Sequence, residues 1–416
     1  MLRKTGNKGI TLIALVISII VLLILARNFY INVKSVIIGV LQRAADAKTQ
    51  TGVGQEKEAL SLAWSSCMVN KTTKNENITD VQLANELKNI GYNDVSVSKS
   101  GNKFKVTFSS GNVYTIKDDG AVQKYEKVEP TAVYAKLYTD GTLILSSTDY
   151  TDATRTIAEN GDYGDVSPKN DYYQNTAGEP ILLGDFPGWI DEHVYYPANS
   201  KIKKVIIYDK IAPTNTSYWF AGCNNLTEIE GIKNMDTSNV TNMSHMFEFC
   251  LALESLDLSD FDTCKVTDMT KMFATCIKLA SLNISGFDTS EVVNMGRMIY
   301  ECRLLRKIDV SSFNTSKVTD MWGMFQSDNS LLELDVSNFD TSNVIDMSYM
   351  FEGCGSLTVL DLSNFNTYKV TSFNKMFSNG NTTGITFNAN VIIGPNWNTS
   401  MTESATGYNG TFETQN

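Results

Sequence analysis

From Ile10 to Ala26 the chain runs 17 residues without a charge. As a helix rising about 1.5 Å per residue, that run approaches the roughly 30 Å of a bilayer core. Phe29, Val33, Val36, Ile37, Val40, Leu41 and Ala44 then recur at helical spacing and extend the helix. Beyond Gly52 and Gly54, the stretch Glu56 to Val69 predicts a second helix through Ala59, Leu60, Ala63, Trp64 and Cys67, and Ile78 to Ile90 predicts a third. Phe104 to Phe108 and Val113 to Ile116 alternate at period two about Gly111 and Asn112, which predicts a hairpin.

The strongest pattern has a period of 26 residues, marked by Met243/Met246/Phe247, Met269/Met272/Phe273, Met295/Met298/Ile299, Met321/Met324/Phe325, Met347/Met350/Phe351 and Met376/Phe377. Each unit also carries an L-x-x-L-x-L run, such as Leu253/Leu256/Leu258. The last two positions of that run face one way in an extended chain and the residue between them, here Asp257, faces the other. A phenylalanine and an Asx-Thr corner follow, as in Phe261-Asp262-Thr263. Met269, Met272, Phe273 and Cys276 then fall at i, i+3, i+4 and i+7, which predicts a short amphipathic helix capped by Thr267. Strand, corner, helix and return read as a leucine-rich-repeat coil, and one such unit buries too little to stand alone.

The pattern from Cys250 to Phe273 resembles the BspA-like leucine-rich-repeat family of bacterial surface proteins, over about 132–376. That resemblance implies a secreted or surface-displayed binding protein and no catalytic motif. Lys8-Gly9-Ile10-Thr11-Leu12-Ile13 resembles the type IV prepilin and pseudopilin leader, with Gly9 and Ile10 at the processing point and Ala14 where that family usually has Glu. A cleaved secretory signal, a plain anchor and prepilin-type processing are the three readings of this segment.

The fold class expected is therefore an α/β solenoid, a leucine-rich-repeat coil behind a transmembrane or pilin-like long helix and a small α+β region. Its parts are a leader and transmembrane helix over 1–26, a pilin-like stalk with hairpin over 27–128, a β-rich cap over 132–215, the coil over 216–377 and a closing cap over 378–416.

Charge sharpens the functional expectation. The net charge is −11, although residues 1–48 carry seven basic side chains against Asp46. An acidic body lacks the basic stripe that nucleic acid requires, so no nucleic-acid partner is expected. Lys4 and Lys8 place the N-terminus on the cytoplasmic side and the remainder at the cell surface. Seven cysteines cannot all pair within one chain. Cys223, Cys250, Cys276, Cys302 and Cys354 share one repeat slot and read as buried free thiols. Asp328 fills that slot once and requires an exposed position or a bonded partner.

The Met pairs read as core rather than a soft-metal site, and the column Asp257, Asn283, Asp309, Asp335, Asp361 as a solvated face rather than a calcium site. His193 and His245 read as surface residues. No hydrolase, zinc, phosphate-loop or dinucleotide fingerprint is present, so neither an enzyme nor a cofactor is expected. Turn-to-turn variation falls on the outward strand positions, and Arg306, Lys307, Leu332 and Glu333 make the candidate partner-binding spot. The expected function is adhesion or interaction with a protein or glycan on another cell or matrix. The alternative is a minor pilin or pseudopilin in a filament or secretion system with the repeats as its tip.

Overall fold

The computed structural model describes residues 52–74, 78–100, 103–117, 120–125, 129–165, 172–174, 180–182, 200–378, 389–398 and 411–414. The chain divides into two compact units, residues 1–127 and 128–416. The expected leader and membrane helix, the processing pair Gly9 and Ile10, and His193 lie outside the described residues.

In the first unit, α1 (Gly52–Lys74) and α2 (Asp80–Asn89) precede an antiparallel meander of β1 (Val95–Ser100), β2 (Lys103–Phe108), β3 (Val113–Lys117) and β4 (Val122–Lys124), in spatial order 1-2-3-4. Leu60, Ala63, Trp64 and Cys67 of α1 join Leu83 and Leu87 of α2 over Phe104, Val106, Tyr114 and Ile116 of the sheet. Thr79 starts α2 with a capping box: the Gln82 N–H donates to Thr79 Oγ1 at 3.1 Å, and the Thr79 N–H donates to Gln82 Oε1 at 3.0 Å. Buried Glu56 accepts from Ser110 Oγ, Asn112 Nδ2 and Tyr114 Oη at 2.6, 2.8 and 3.0 Å, and so ties α1 to the β2–β3 hairpin. Gly120 is held at φ +83°, with a would-be Cβ 2.8 Å from the Trp64 ring, so no other residue fits there.

Among the described residues no helix is long and apolar enough to cross a membrane. This corrects the expected transmembrane character and the placement in a bacterial cell membrane with a surface ectodomain. The described helices are of a different kind: α1 carries Glu56, Lys57, Glu58 and Lys71 and buries one face on its own sheet.

The second unit opens with β5 (Tyr134–Tyr138), β6 (Thr142–Ser146), β7 (Ile157–Asp165) and a small β8–β9 pair (Tyr172–Gln174, Pro180–Leu182). β10 (Lys204–Ile207) and β11 (Glu228–Glu230) complete a five-stranded sheet in the order 11-10-6-5-7, parallel from β6 through β10 to β11. The chain then settles into turns stacked at a 26-residue offset, with parallel bridges from Asn242 to Asp268, Asn294, Asp320, Asp346 and Ser372 in succession. Strand pairing is sparse: β12 (Ser255–Asp257) pairs β13 (Ser281–Asn283), and Lys307 bridges Glu333. β14 (Val359–Leu362), β15 (Asn390–Ile393) and β16 (Phe412–Thr414) form a parallel sheet of three.

The expected α/β solenoid, a leucine-rich-repeat coil with a helix in every turn behind a long apolar helix, is overturned. The described residues hold small separate sheets and just two α-helices, both in the first unit. The reason is in the backbone. His245 and Phe249 have φ of 59° and 61°, and Lys271, Thr275, Arg297, Glu301, Ser327 and Tyr349 repeat that left-handed conformation in the following turns. An α-helix needs φ near −63° at every residue. Instead the N–H groups alternate in direction. Those of Met243, His245, Phe247 and Phe249 donate to Asp268, Thr270, Met272 and Ala274 of the next turn, while those of Met246, Glu248 and Cys250 donate three residues back. The i, i+3, i+4, i+7 spacing still fills the core, with Met243, Met246, Phe247 and Cys250 all fully buried.

The Asx-Thr corners add to the stacking. Buried Thr263 donates its hydroxyl to the Asp288 carbonyl and accepts the Asp288 N–H, both at 2.8 Å; Thr237 and Thr289 make the same pair of bonds on the turns to either side, and Thr341 makes it two turns beyond Thr289. Both bonding capacities of a buried hydroxyl are thus met across the turn interface, where an unmet one would be costly.

Candidate interaction surface

The outward strand positions stand as the alternation requires: Leu256 and Leu258 are buried and Asp257 is exposed between them. The column of Asp and Asn at these positions has a local purpose. Asp257, Asn283, Asp309, Asp335 and Asp361 each accept, on Oδ1, the backbone N–H two residues ahead, at 2.9 to 3.3 Å. Each is an Asx turn that bends the chain out of its strand. Hydrogen bonds from Ser337 hold the Asp335 carboxyl below its ordinary range. Among the described residues no group of three or more His, Cys, Asp or Glu side chains is placed to hold a metal ion.

Arg306, Lys307, Leu332 and Glu333 are all exposed and lie side by side on neighbouring turns. The Leu332 N–H donates to the Arg306 carbonyl at 3.0 Å, and Lys307 bridges Glu333. Lys307 Nζ stands 3.7 Å from Glu333 Oε2, with both side chains about three-quarters exposed, so solvent screens the pair and both charges remain open to a partner. Leu332 is 43% exposed, and Leu304 and Val359 are half exposed on the turns to either side. Leu304 is not among the four residues the sequence pointed to.

The shared cysteine slot is filled by free thiols, and Cys223, Cys250, Cys276, Cys302 and Cys354 are buried. Cys250, Cys276, Cys302 and Cys354 donate Sγ–H to a phenylalanine carbonyl 29 or 30 residues back, at 3.0 to 3.3 Å. Burial pushes the Cys223 and Cys276 thiols up to about 12, which makes them inert. Asp328 is fully buried in the same slot. Its Oδ1 accepts the Cys302 N–H at 2.8 Å, but Oδ2 has no partner, and burial drives its pKa well above the ordinary carboxyl range.

His245 departs from the expected surface position. It is half-buried, stacks on Tyr218 at 4.3 Å between ring centroids, and places Nδ1 2.6 Å from Glu248 Oε2. It belongs to a file of half-buried side chains, with Lys271, Arg297, Trp322, Tyr349 and Lys375, that the sequence reading passed over. The available signal was the pair of residues between the methionines, where Trp322 stands in the position of Ser244, Thr270 and Ser348, and Arg297 and Tyr349 stand in the position of His245, Lys271 and Lys375.

Residues 214–308 and 302–415 are similar to a family described as Mycoplasma protein of unknown function, DUF285, matched twice in tandem. The two matches together span the stacked turns and the closing β14–β16 sheet. No curated protein and no solved structure matches the chain.

Proposed function

We propose that this protein is a non-enzymatic interaction protein that captures a macromolecular partner, a protein or a glycan, on the strip containing Arg306, Lys307, Leu332 and Glu333. The observation that carries this reading is the juxtaposition of basic, acidic and exposed apolar side chains on adjacent turns. Parallel pairing of Lys307 with Glu333 brings these positions of adjacent turns together on one exposed strip. An exposed leucine beside an arginine supplies the apolar and charged components of an anchoring spot.

The double variant Arg306→Glu with Leu332→Ser is expected to weaken capture of partners from protein and glycan panels by the full chain. Thermal stability should change by less than about 1 kcal/mol, since both side chains are exposed. Undiminished capture by a folded double variant would move the site off this strip.

A second reading, a filament subunit, is favoured by the layout of residues 52–124, where one helical face packs on a four-stranded antiparallel meander, as in pilin-type subunits. Cleavage after Gly9 together with recovery in sheared filaments would support it. An uncut chain absent from such filaments would dismiss it.

A further inference from the structure

The file of side chains between the paired methionines carries a second surface, independent of the strip above. Its centre is Arg297. The Arg297 guanidinium carbon lies over the Trp322 ring at 3.9 Å and over the Tyr300 ring at 4.5 Å from the centroids. Trp322 in turn meets Tyr349 edge to face at 6.3 Å, and Lys375 Nζ lies over the Tyr349 ring at 5.7 Å. Gly323 makes this row possible. A Cβ there would come within 2.9 Å of Gln326 Oε1 and 3.1 Å of Arg297 Cγ, and the residue sits at φ +60°. Without a side chain at 323, the arms of Arg297 and Gln326 pack against the position.

The neighbouring cations have carboxylate partners: Lys271 Nζ lies 3.5 Å from Glu248 and Arg303 Nη2 lies 3.0 Å from Glu301. Among the described residues Arg297 has no such pair, and its Nε is buried with no hydrogen-bond partner. Ring contacts occupy the flat surface of a guanidinium and leave its in-plane N–H donors unsatisfied. Those donors form a fork that matches a carboxylate. An unpaired cation packed between aromatic rings is locally complementary to a carboxylate. The composition points to the kind of partner, because Trp, Tyr and Arg are the residues that dominate protein–protein hot spots. Because these side chains are already packed against one another, docking orders little that is not ordered beforehand.

We propose that Arg297, flanked by Trp322, Tyr300 and Tyr349, binds a carboxylate-bearing segment of a protein partner, the carboxylate meeting the guanidinium fork and an apolar neighbour resting on the rings. The test uses the full chain and a fluorescein-labelled Glu-rich peptide containing one tyrosine, read by anisotropy. The parent is expected to bind the peptide. Arg297→Lys, which keeps the charge and removes the fork, should weaken binding about tenfold or more. Lys201→Gln, an exposed charge elsewhere in the unit, should leave binding unchanged. Thermal midpoints establish that each variant is folded. Phenylglyoxal modification of the parent, located by mass spectrometry, gives a readout that needs no variant, and the peptide should protect Arg297. Absence of peptide binding, equal binding by folded Arg297→Lys, or modification of Arg297 at one rate with and without peptide would overturn the proposal. So would heparin binding that is lost in Arg297→Lys while the peptide fails to bind, which would assign the surface to a sulfated glycan.

Discussion

Replacing Phe351 with alanine is expected to destabilise the second unit by about 3–5 kcal/mol, the range for deleting a fully buried aromatic ring. Phe351 stacks between Phe325 and Phe377, with ring centroids 6.0 Å apart on each side. Its removal therefore leaves a cavity open to two neighbouring turns and breaks two ring contacts together. The backbone at this point gives little room for collapse, since the Phe351 N–H donates to the Met376 carbonyl and the Phe325 N–H donates to the Met350 carbonyl, each at 3.0 Å. Chemical denaturation followed by circular dichroism measures the loss. A denaturation midpoint equal to that of the parent would mean that the stack does not act as one packed core.

Asp328→Asn is expected to stabilise the protein at neutral pH by more than about 1.4 kcal/mol, the linkage worth of a carboxyl pKa raised by one unit, because burial penalises an ionised carboxylate and an amide does not ionise. The amide oxygen can still accept the Cys302 N–H, but the side chain no longer ionises. The sign follows from linkage. Burial raises the carboxyl pKa in the folded chain, so the folded state holds this proton more tightly than the unfolded state, whose value lies near about 3.9. The contribution of the protonated group to stability is thus fully present below about pH 4 and is lost as pH rises toward the folded value. Parent and variant should have similar midpoints near pH 4 and diverge as pH increases, with the variant the more stable. Parallel pH profiles would show that Asp328 is not the titrating group. Asp328→Cys, which restores the residue found in the flanking turns, should show the same divergence.

Much of the packing was legible before any coordinates. The 26-residue period located Met243, Met269, Phe273 and their equivalents in the core, because inward positions must repeat wherever turns stack. Alternation placed Leu256 and Leu258 inside and Asp257 outside. The helices of the first unit and the β2–β3 hairpin were legible for the same reason, since each has a period set by its own backbone geometry.

The i, i+3, i+4, i+7 spacing misled where it was strongest. That spacing states which side chains face inward and is silent about φ. A helix and a run of overlapping turns with left-handed residues at His245 and Phe249 bury the same positions. The choice between them is made by N–H groups donating to the next turn, a partner that exists only after stacking.

The sequence by itself determined the period, the identity of the core, the corners built on Asx and Thr, and the four residues of the candidate strip. Only the tertiary structure decided that the described turns contain no α-helix, that Asp328 is buried with an orphaned oxygen, and that Arg297, Trp322 and Tyr349 meet in one row. The physical reason is the same in each case. Local pattern fixes which way a side chain points, whereas the partner of a backbone N–H, a carboxylate or a guanidinium is set by residues about 26 positions away that only folding brings alongside.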